Sequence, residues 1–201
     1  MRVLVACEYS GVVRDAFLAN GHDAISCDLL PTDSPGPHYQ GDVFDILDEG
    51  WDLMIAHPPC TYLSNSGVRW LYTQEGRWDK MREGGEFFKA LLRAGDHGSI
   101  PRVCVENPIM HKHAVRIVGA KQTQIIQPWQ YGHPETKATG LWLRGLPALT
   151  ETNNVREHML TLPKSERNCI HYASPGPDRW KLRSTTYAGI AAAMAEQWGN
   201  L

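Results

Sequence analysis

The chain has 201 residues, 42% of them hydrophobic and 21% charged, with a formal net charge of −2. The length predicts one domain, and no apolar run approaches the ~18–20 residues of a membrane span, so we expect a cytoplasmic protein. The five cysteines show no C-x-x-C pair or regular spacing, which argues against a disulfide framework or a zinc knuckle. Cys169 and His171 are half of a possible metal site without a second half, so no metal is predicted.

Strand and helix patterns alternate along the first 145 residues. The predicted strands lie at 3–7, 24–27, 52–56, 103–105, 124–127 and 140–143. The predicted helices lie at 12–19, 78–94 and 113–118, and an Ala-rich helix at 187–198 closes the chain. This alternation predicts an α/β fold with a mainly parallel sheet. From 146 to about 181 the pattern fades into a Pro-rich stretch, which we interpret as a long functional excursion.

Polar or special residues follow four of the predicted strands. They are the turn 8–11, Asp28, the segment 58–60 and the segment 106–108. Ligands of parallel α/β sheets bind outside the carboxyl ends of the strands. The sequence therefore predicts a functional site at that edge of the sheet.

Cys60 is a candidate nucleophile. It follows two prolines at a strand end, on a stiff turn that could present its thiol to a ligand. A cysteine thiolate is a strong nucleophile once its pKa is lowered. The alternative is a proline-rich turn that holds an incidental buried thiol.

Glu106 is a candidate acid in the same cleft. It ends the strand at 103–105, and a carboxyl group near an apolar pocket can keep its proton and donate it. A thiol and a carboxyl group at neighbouring strand ends are what activation of a pyrimidine ring requires. The alternative is that Glu106 caps the helix after it.

Three segments resemble motifs of the DNA cytosine-C5 methyltransferase family. Residues 57–67, His-Pro-Pro-Cys-Thr-Tyr-Leu-Ser-Asn-Ser-Gly, are similar to its Pro-Pro-Cys catalytic loop, and 106–108, Glu-Asn-Pro, to its Glu-Asn-Val. Residues 131–137, Tyr-Gly-His-Pro-Glu-Thr-Lys, resemble its Tyr-Gly-x-Pro-Gln-x-Arg. The similarity spans about residues 1–145 and suggests a compact, phage- or bacterial-like form. It implies a Rossmann-like class I methyltransferase fold, with a mostly parallel seven-stranded sheet and helices on both faces.

The resemblance also implies a reaction. Cys60 would add to C6 of cytosine while Glu106 holds the N3 edge, and C5 would then take a methyl group from S-adenosylmethionine. Lys137 stands where the family has an arginine and completes the predicted catalytic set, although its point charge lacks the arginine's bidentate fork. In a duplex the base must first be flipped out.

The cofactor site is also predicted by resemblance. The turn after the first strand has Glu8 and Ser10 where the family has glycines, which leaves open a modified cofactor. Asp28 would hold the ribose hydroxyls, since a carboxylate accepts two hydrogen bonds, and Asp42 would contact the adenine amino group. Both could instead be solvated loop acids. The predicted cofactor-binding residues are Glu8, Tyr9, Ser10, Gly11, Asp28, Leu29, Asp42, Val43 and Pro58.

The region that would recognise the substrate is short. We divide the chain into a methyltransferase core (1–145), a reduced recognition excursion (146–184) and a C-terminal helix packed on the core (185–201). The predicted substrate-binding residues are Pro59, Ser64, Asn107, Arg179 and Trp180, and Trp180 could instead be a core residue. Residues 1–68 hold two basic and ten acidic side chains, whereas 69–201 hold eighteen basic and twelve acidic. An anionic partner is therefore expected on the second part.

Three functions remain open. The first is cytosine-C5 methylation of DNA, and the second is the same chemistry on a free cytosine nucleotide, favoured by the short excursion. The third is a catalytically idle protein that binds nucleotides or nucleic acids on the same fold, favoured by Glu8 and Ser10. The target sequence and the oligomeric state are left open.

Overall fold

A computed structural model of the protein describes residues 1–94, 96 and 100–201 and has one seven-stranded sheet at its centre. The strands are β1 (Arg2–Ala6), β2 (Asp23–Asp28), β3 (His38–Gln40), β4 (Leu53–Ala56), β5 (Val103–Pro108), β6 (Gln124–Ile126) and β7 (Thr139–Arg144). Their order is β3-β2-β1-β4-β5-β7-β6. The pairs from β3 to β5 are parallel, while β7 runs antiparallel to both β5 and β6. The predicted α/β fold with a mostly parallel sheet is confirmed.

Helices cover both faces of the sheet, as predicted. Two of them, α1 (Val12–Ala19) and α8 (Ala188–Trp198), pack against each other on one face. On the opposite face α2 (Arg77–Arg93) packs against α3 (Lys112–Val118). The C-terminal helix thus lies on the sheet and contributes Ile190, Met194 and Trp198 to the core.

The central strands have few polar residues because both of their faces are covered. In β1, Val3 and Val5 point into the core beneath α1 and α8, while Leu4 and Ala6 point into the other core. The whole of β4, Leu-Met-Ile-Ala, is buried in the same alternating way. Consequently, the polar side chains lie in the turns that follow these strands.

Two parts of the chain differ from the predicted elements. The strand β3 was not predicted; it has three residues, pairs only with β2 and lies at the sheet edge. The excursion at 146–184 contains short helices: α4 (Arg156–Thr161), α5 (Lys164–Arg167), α6 (Cys169–Tyr172) and α7 (Arg179–Ser184). Each has at most six residues, too few for an apolar stripe to show in sequence.

No helix in the described ranges has both the length and the apolar character that a membrane span requires. Among the same residues, no three His, Cys, Asp or Glu side chains are grouped so that they could hold a metal ion.

Candidate active site

A cavity of about 100 Å³ opens at the carboxyl ends of β1, β4 and β5, and we call it the central cavity. Its walls come from the turn 7–10 after β1, the turn 57–60 after β4 and the end of β5 at 106–108. Lys137, just before β7, and residues of the segment 183–186 complete it. Five segments that are distant in sequence therefore converge on one small space.

The central cavity brings together much of the predicted site. All three predicted catalytic residues, Cys60, Glu106 and Lys137, line it. From the predicted binding residues it collects Glu8, Tyr9, Ser10, Pro58, Pro59 and Asn107. These side chains meet because β4 lies between β1 and β5 and is parallel to both, so that their carboxyl ends coincide.

The thiol of Cys60 is largely covered. Burial, and then the negative charge of Glu106, raise its pKa above the ordinary value, while Arg183 and Lys137 oppose the shift. The turn that carries it is fixed by the Cys60 carbonyl oxygen, which accepts from the backbone N–H groups of Leu63 and Ser64, each at 3.0 Å. The thiol at rest is thus held in its protonated form between one anion and two cations.

Glu106 forms a close pair with His57, to which the sequence interpretation gave no role. The His57 Nδ1 atom lies 3.0 Å from the Glu106 Oε2 atom. Burial raises the pKa of Glu106, but the hydrogen bond and charge of His57, together with Lys137, lower it below the usual value. For His57, burial lowers the pKa, but the bond and charge of Glu106 raise it above the usual value. Both shifts favour the pair as carboxylate and imidazolium, because the hydrogen bond and the opposite charges act against burial.

Asn107 ties the ends of β4 and β5 together. Its Nδ2 group donates to the Pro58 carbonyl oxygen at 3.0 Å, and the residue is buried. Its Oδ1 atom and the Nε2 atom of His57 are buried without a hydrogen-bond partner in the described structure. Both residues line the central cavity, and unpaired buried polar atoms are costly unless a ligand or water meets them.

The turn after β1 is built around Glu8. Its carboxylate accepts from the backbone N–H groups of Val13 at 2.7 Å and Arg14 at 3.2 Å, and from the Ser10 hydroxyl at 3.3 Å. Helix α1 has Gly11 at its N-cap, with φ +76°, so this position has no side chain to cap the helix. Glu8 supplies that cap, while its assignment to the cofactor stays a prediction.

The other predicted cofactor residues lie outside the central cavity, at the same edge of the sheet. Asp28 ends β2 and accepts from the Leu30 N–H group at 2.9 Å, and Asp42 accepts from Phe44 N–H at 3.1 Å. Both negative charges act on Cys7, whose pKa is raised chiefly by burial. Leu29 is largely exposed and Val43 is buried.

Helix α7 closes over Tyr9. The Tyr9 and Trp180 rings lie 5.1 Å apart, the hydroxyl groups of Tyr9 and Ser184 lie 3.1 Å apart, and Lys181 pairs with Asp33 at 2.8 Å. Trp180 is 47% exposed, so its interpretation as a core residue is wrong.

Two arginines of α7 have different surroundings, and only Arg179 belonged to the predicted site. Arg183 lines the cavity and lowers the pKa of Cys60, although it was absent from the predicted site. Arg179 donates from Nε to the Ala173 carbonyl oxygen at 2.8 Å. Ser64 is buried outside the cavity, with its hydroxyl oxygen 2.9 Å from that of Ser66. The only sequence signal for His57 was its position next to a strand-end motif. The only sequence signal for Arg183 was the basic residues beside it.

Comparison with known proteins finds similarity in structure. No family model matches the chain, and no curated protein matches it significantly. Similar solved structures are a protein described as a DNA modification methyltransferase of an E. coli prophage (14% identity, TM-score 0.47), the Entamoeba histolytica methyltransferase EhMeth (13%, 0.48) and S. pombe Dnmt2 methyltransferase (15%, 0.46). They align over 82%, 77% and 100% of this chain but over only 56%, 57% and 66% of their own lengths. The chain thus spans about half to two thirds of each.

The assignment of the fold rests on the chain's own sheet. Its seven strands follow the order β3-β2-β1-β4-β5-β7-β6, and β7 is antiparallel to both of its neighbours. Helices lie on both faces. This chain has the Rossmann-like class I methyltransferase fold.

Proposed function

We propose that the protein is an S-adenosylmethionine-dependent methyltransferase that modifies C5 of cytosine in DNA through a covalent adduct with Cys60. The observation that carries the proposal is the convergence of Cys60, Glu106 and Lys137 on one cavity at the carboxyl ends of β4 and β5. A nucleophile for C6 and a carboxyl group for the N3 edge are the two groups that the addition requires.

Residues at the carboxyl ends of β1 and β2 are suited to binding the methyl donor. Asp28 projects at the end of β2 beside the exposed Leu29, and a carboxylate there suits a ribose diol. Gly11 adopts a left-handed φ in the turn through which the backbone would approach the methionine part. When bound, S-adenosylmethionine would supply an electrophilic methyl group.

The chain's own residues would then act in sequence. Cys60 forms a bond to C6, and its ionisation is favoured by the positive charges of Lys137 and Arg183. Glu106 holds the N3 edge and provides the proton that N3 needs as electrons leave the C5–C6 double bond. After methyl transfer a base takes the C5 proton, the C5–C6 double bond re-forms, and the bond from sulfur to C6 breaks to release the Cys60 thiolate.

A free cytosine nucleotide is the second candidate substrate. It is favoured by α7, which folds over Tyr9 and leaves a central cavity of about 100 Å³. Ligand pockets commonly enclose roughly 300–1,000 Å³, so any nucleoside requires this region to open. A segment that closes directly over the cavity suits a small substrate as well as a flipped base.

Trapping with 5-fluorocytosine tests the function and separates its alternatives. The fluorine cannot leave C5 as a proton does, so the Cys60 adduct persists after methyl transfer. The oligonucleotide and the free 5-fluoro nucleotide are each incubated with S-adenosylmethionine, and intact mass is measured for wild type, Cys60→Ser and Cys169→Ser. Cys169 lies outside the central cavity and is the matched control.

We expect an adduct with the oligonucleotide for wild type and Cys169→Ser but none for Cys60→Ser. An adduct with the free nucleotide alone would assign the second substrate. Binding of cofactor or DNA with no adduct on either substrate would leave only the idle binding protein.

A further inference from the structure

His57 is a buried histidine that contacts Glu106 and is also influenced by the charge of Glu8, and the reaction proposed above does not use it. It follows β4 directly, its side chain is 9% exposed, and its Nδ1 atom contacts Glu106 at 3.0 Å. Its Nε2 atom is buried without a partner in the described structure. One ring nitrogen of this buried imidazole contacts the candidate acid, and the other has no hydrogen-bond partner. Such an imidazole is suited to proton transfer.

The charges that face His57 come from each strand around it. Glu106 lies on β5 and Glu8 follows β1, while Lys137 precedes β7. Cys60 shares its turn, and Arg183 faces that thiol from α7. The two carboxylates outweigh the lysine, which is why the pKa of His57 is raised although the ring is buried.

We propose that His57 is a positioning residue that stores the proton which Glu106 delivers to N3 of the cytosine ring. The inference rests on the proposed function. Glu106 is paired with the imidazolium and so is ionised, which means that it has no proton of its own to give. The hydrogen bond from His57 Nδ1 to Glu106 Oε2 supplies one without exposing the cavity to solvent.

The proton that N3 receives comes from the pair, while the thiol proton of Cys60 passes to water as sulfur is ionised. As the Cys60 sulfur bonds to C6, the C5–C6 π electrons move through C4 to N3. The Nδ1 proton passes to Glu106, and a proton from Glu106 passes to N3, which leaves His57 neutral and Glu106 ionised. After methyl transfer, water takes the C5 proton and the electron pair of that C–H bond re-forms the C5–C6 double bond. The bond from sulfur to C6 breaks, its electron pair returns to sulfur, and N3 returns its proton by the same route.

The variant His57→Asn tests whether His57 stores a proton or only donates a hydrogen bond to Glu106. The asparagine amide can donate from about the position of Nδ1, but it cannot bind an additional proton. In this variant Glu106 must carry the proton itself. Its pKa rises when the charge of His57 is lost, but an ordinary carboxyl group titrates roughly two units below an ordinary histidine. The control is His171→Asn on α6, outside the central cavity.

The rate of adduct formation with the 5-fluorocytosine oligonucleotide is measured from pH 5 to pH 8. The ratio of the wild-type rate to the His57→Asn rate cancels the ionisation of Cys60. We expect this ratio to rise at least tenfold across the range, because the stored proton is lost at higher pH in the wild type than in the variant. A ratio that does not change with pH would overturn the storage role.

A second measurement does not depend on catalysis. Titration of the His57 ring by NMR should give a pKa above the ordinary histidine value of about 6.5 in the wild type, and Glu106→Gln should lower it. A His57 pKa below its ordinary value in the wild type would contradict the proposal. If the wild type forms no adduct on either substrate, the proposed function fails; if it does and the ratio is flat, only the role of His57 fails.

Discussion

Glu8 stands where the resembling family has a glycine, and its replacement tests whether it serves the fold or the cofactor. The carboxylate is 3% exposed and accepts from the N–H groups of Val13 and Arg14 and from the Ser10 hydroxyl. Glu8→Ala removes the acceptor for two orphan N–H groups at the start of α1. Hydrogen bonds to charged groups contribute about 1.5–3 kcal/mol each, and the helix dipole adds to them. Because both bonds share one carboxylate, we expect a total loss of about 2–4 kcal/mol.

Urea unfolding and thermal unfolding measure this loss. For a domain of this size, 1 kcal/mol corresponds to about 2–4 °C, so Glu8→Ala should lower Tm by roughly 4–16 °C. Glu8→Gln keeps one acceptor oxygen and should recover about half of the loss. An unchanged Tm in Glu8→Ala would refute the capping role. A Glu8→Gln protein of wild-type stability with weakened S-adenosylmethionine binding would assign the carboxylate to the cofactor.

Two further predictions concern binding. Asp28→Ala should weaken S-adenosylmethionine binding by about 1–3 kcal/mol in calorimetry, the scale of a lost hydrogen bond to a charged acceptor. Asp23→Ala, at the opposite end of β2, should leave the affinity unchanged, and equal effects of the two changes would count against the ribose assignment. Arg183→Ala should flatten the salt dependence of oligonucleotide binding by about one unit if DNA is the substrate. Lys181→Ala should change that slope less, because Lys181 already pairs with Asp33. A larger change for Lys181→Ala than for Arg183→Ala would show that Lys181, and not Arg183, contacts the phosphate.

The sequence predicts the part of the fold that depends on local pattern. The buried runs of β1 and β4 and the helical spacing of α1 are each visible within a few residues. The predicted bounds of α1 agree with the structure, and those of β1 and β4 agree to within one residue at each end. The strand β3 is not visible in this way, because three partly exposed residues at a sheet edge carry no periodicity.

Local sequence patterns also predict some residues of the candidate site and miss others. Cys60 and Glu106 could be found because each follows a strand in a distinctive motif. The pairing of His57 with Glu106 could not, because it joins residues 49 positions apart and depends on β4 and β5 being neighbours. Arg183 reaches the cavity only through the way the excursion folds back, which no local pattern in 146–184 specifies.

The placement of Arg183 links access to the cavity with the reactivity of its thiol. Burial and Glu106 raise the pKa of Cys60, and the charges of Arg183 and Lys137 lower it, as does a backbone hydrogen bond. The Lys137 backbone is held just before β7 by Gln127, although its Nζ atom also donates to the Thr185 carbonyl oxygen at 3.4 Å. Arg183 lies on α7 itself, which is held by the contact of Trp180 with Tyr9 and by the pair of Lys181 with Asp33. Any opening of α7 that admits a nucleoside takes Arg183 away from the thiol and raises its pKa further. In the proposed reaction, Cys60 is therefore least reactive while the cavity is open and gains its second cation when α7 closes over the substrate.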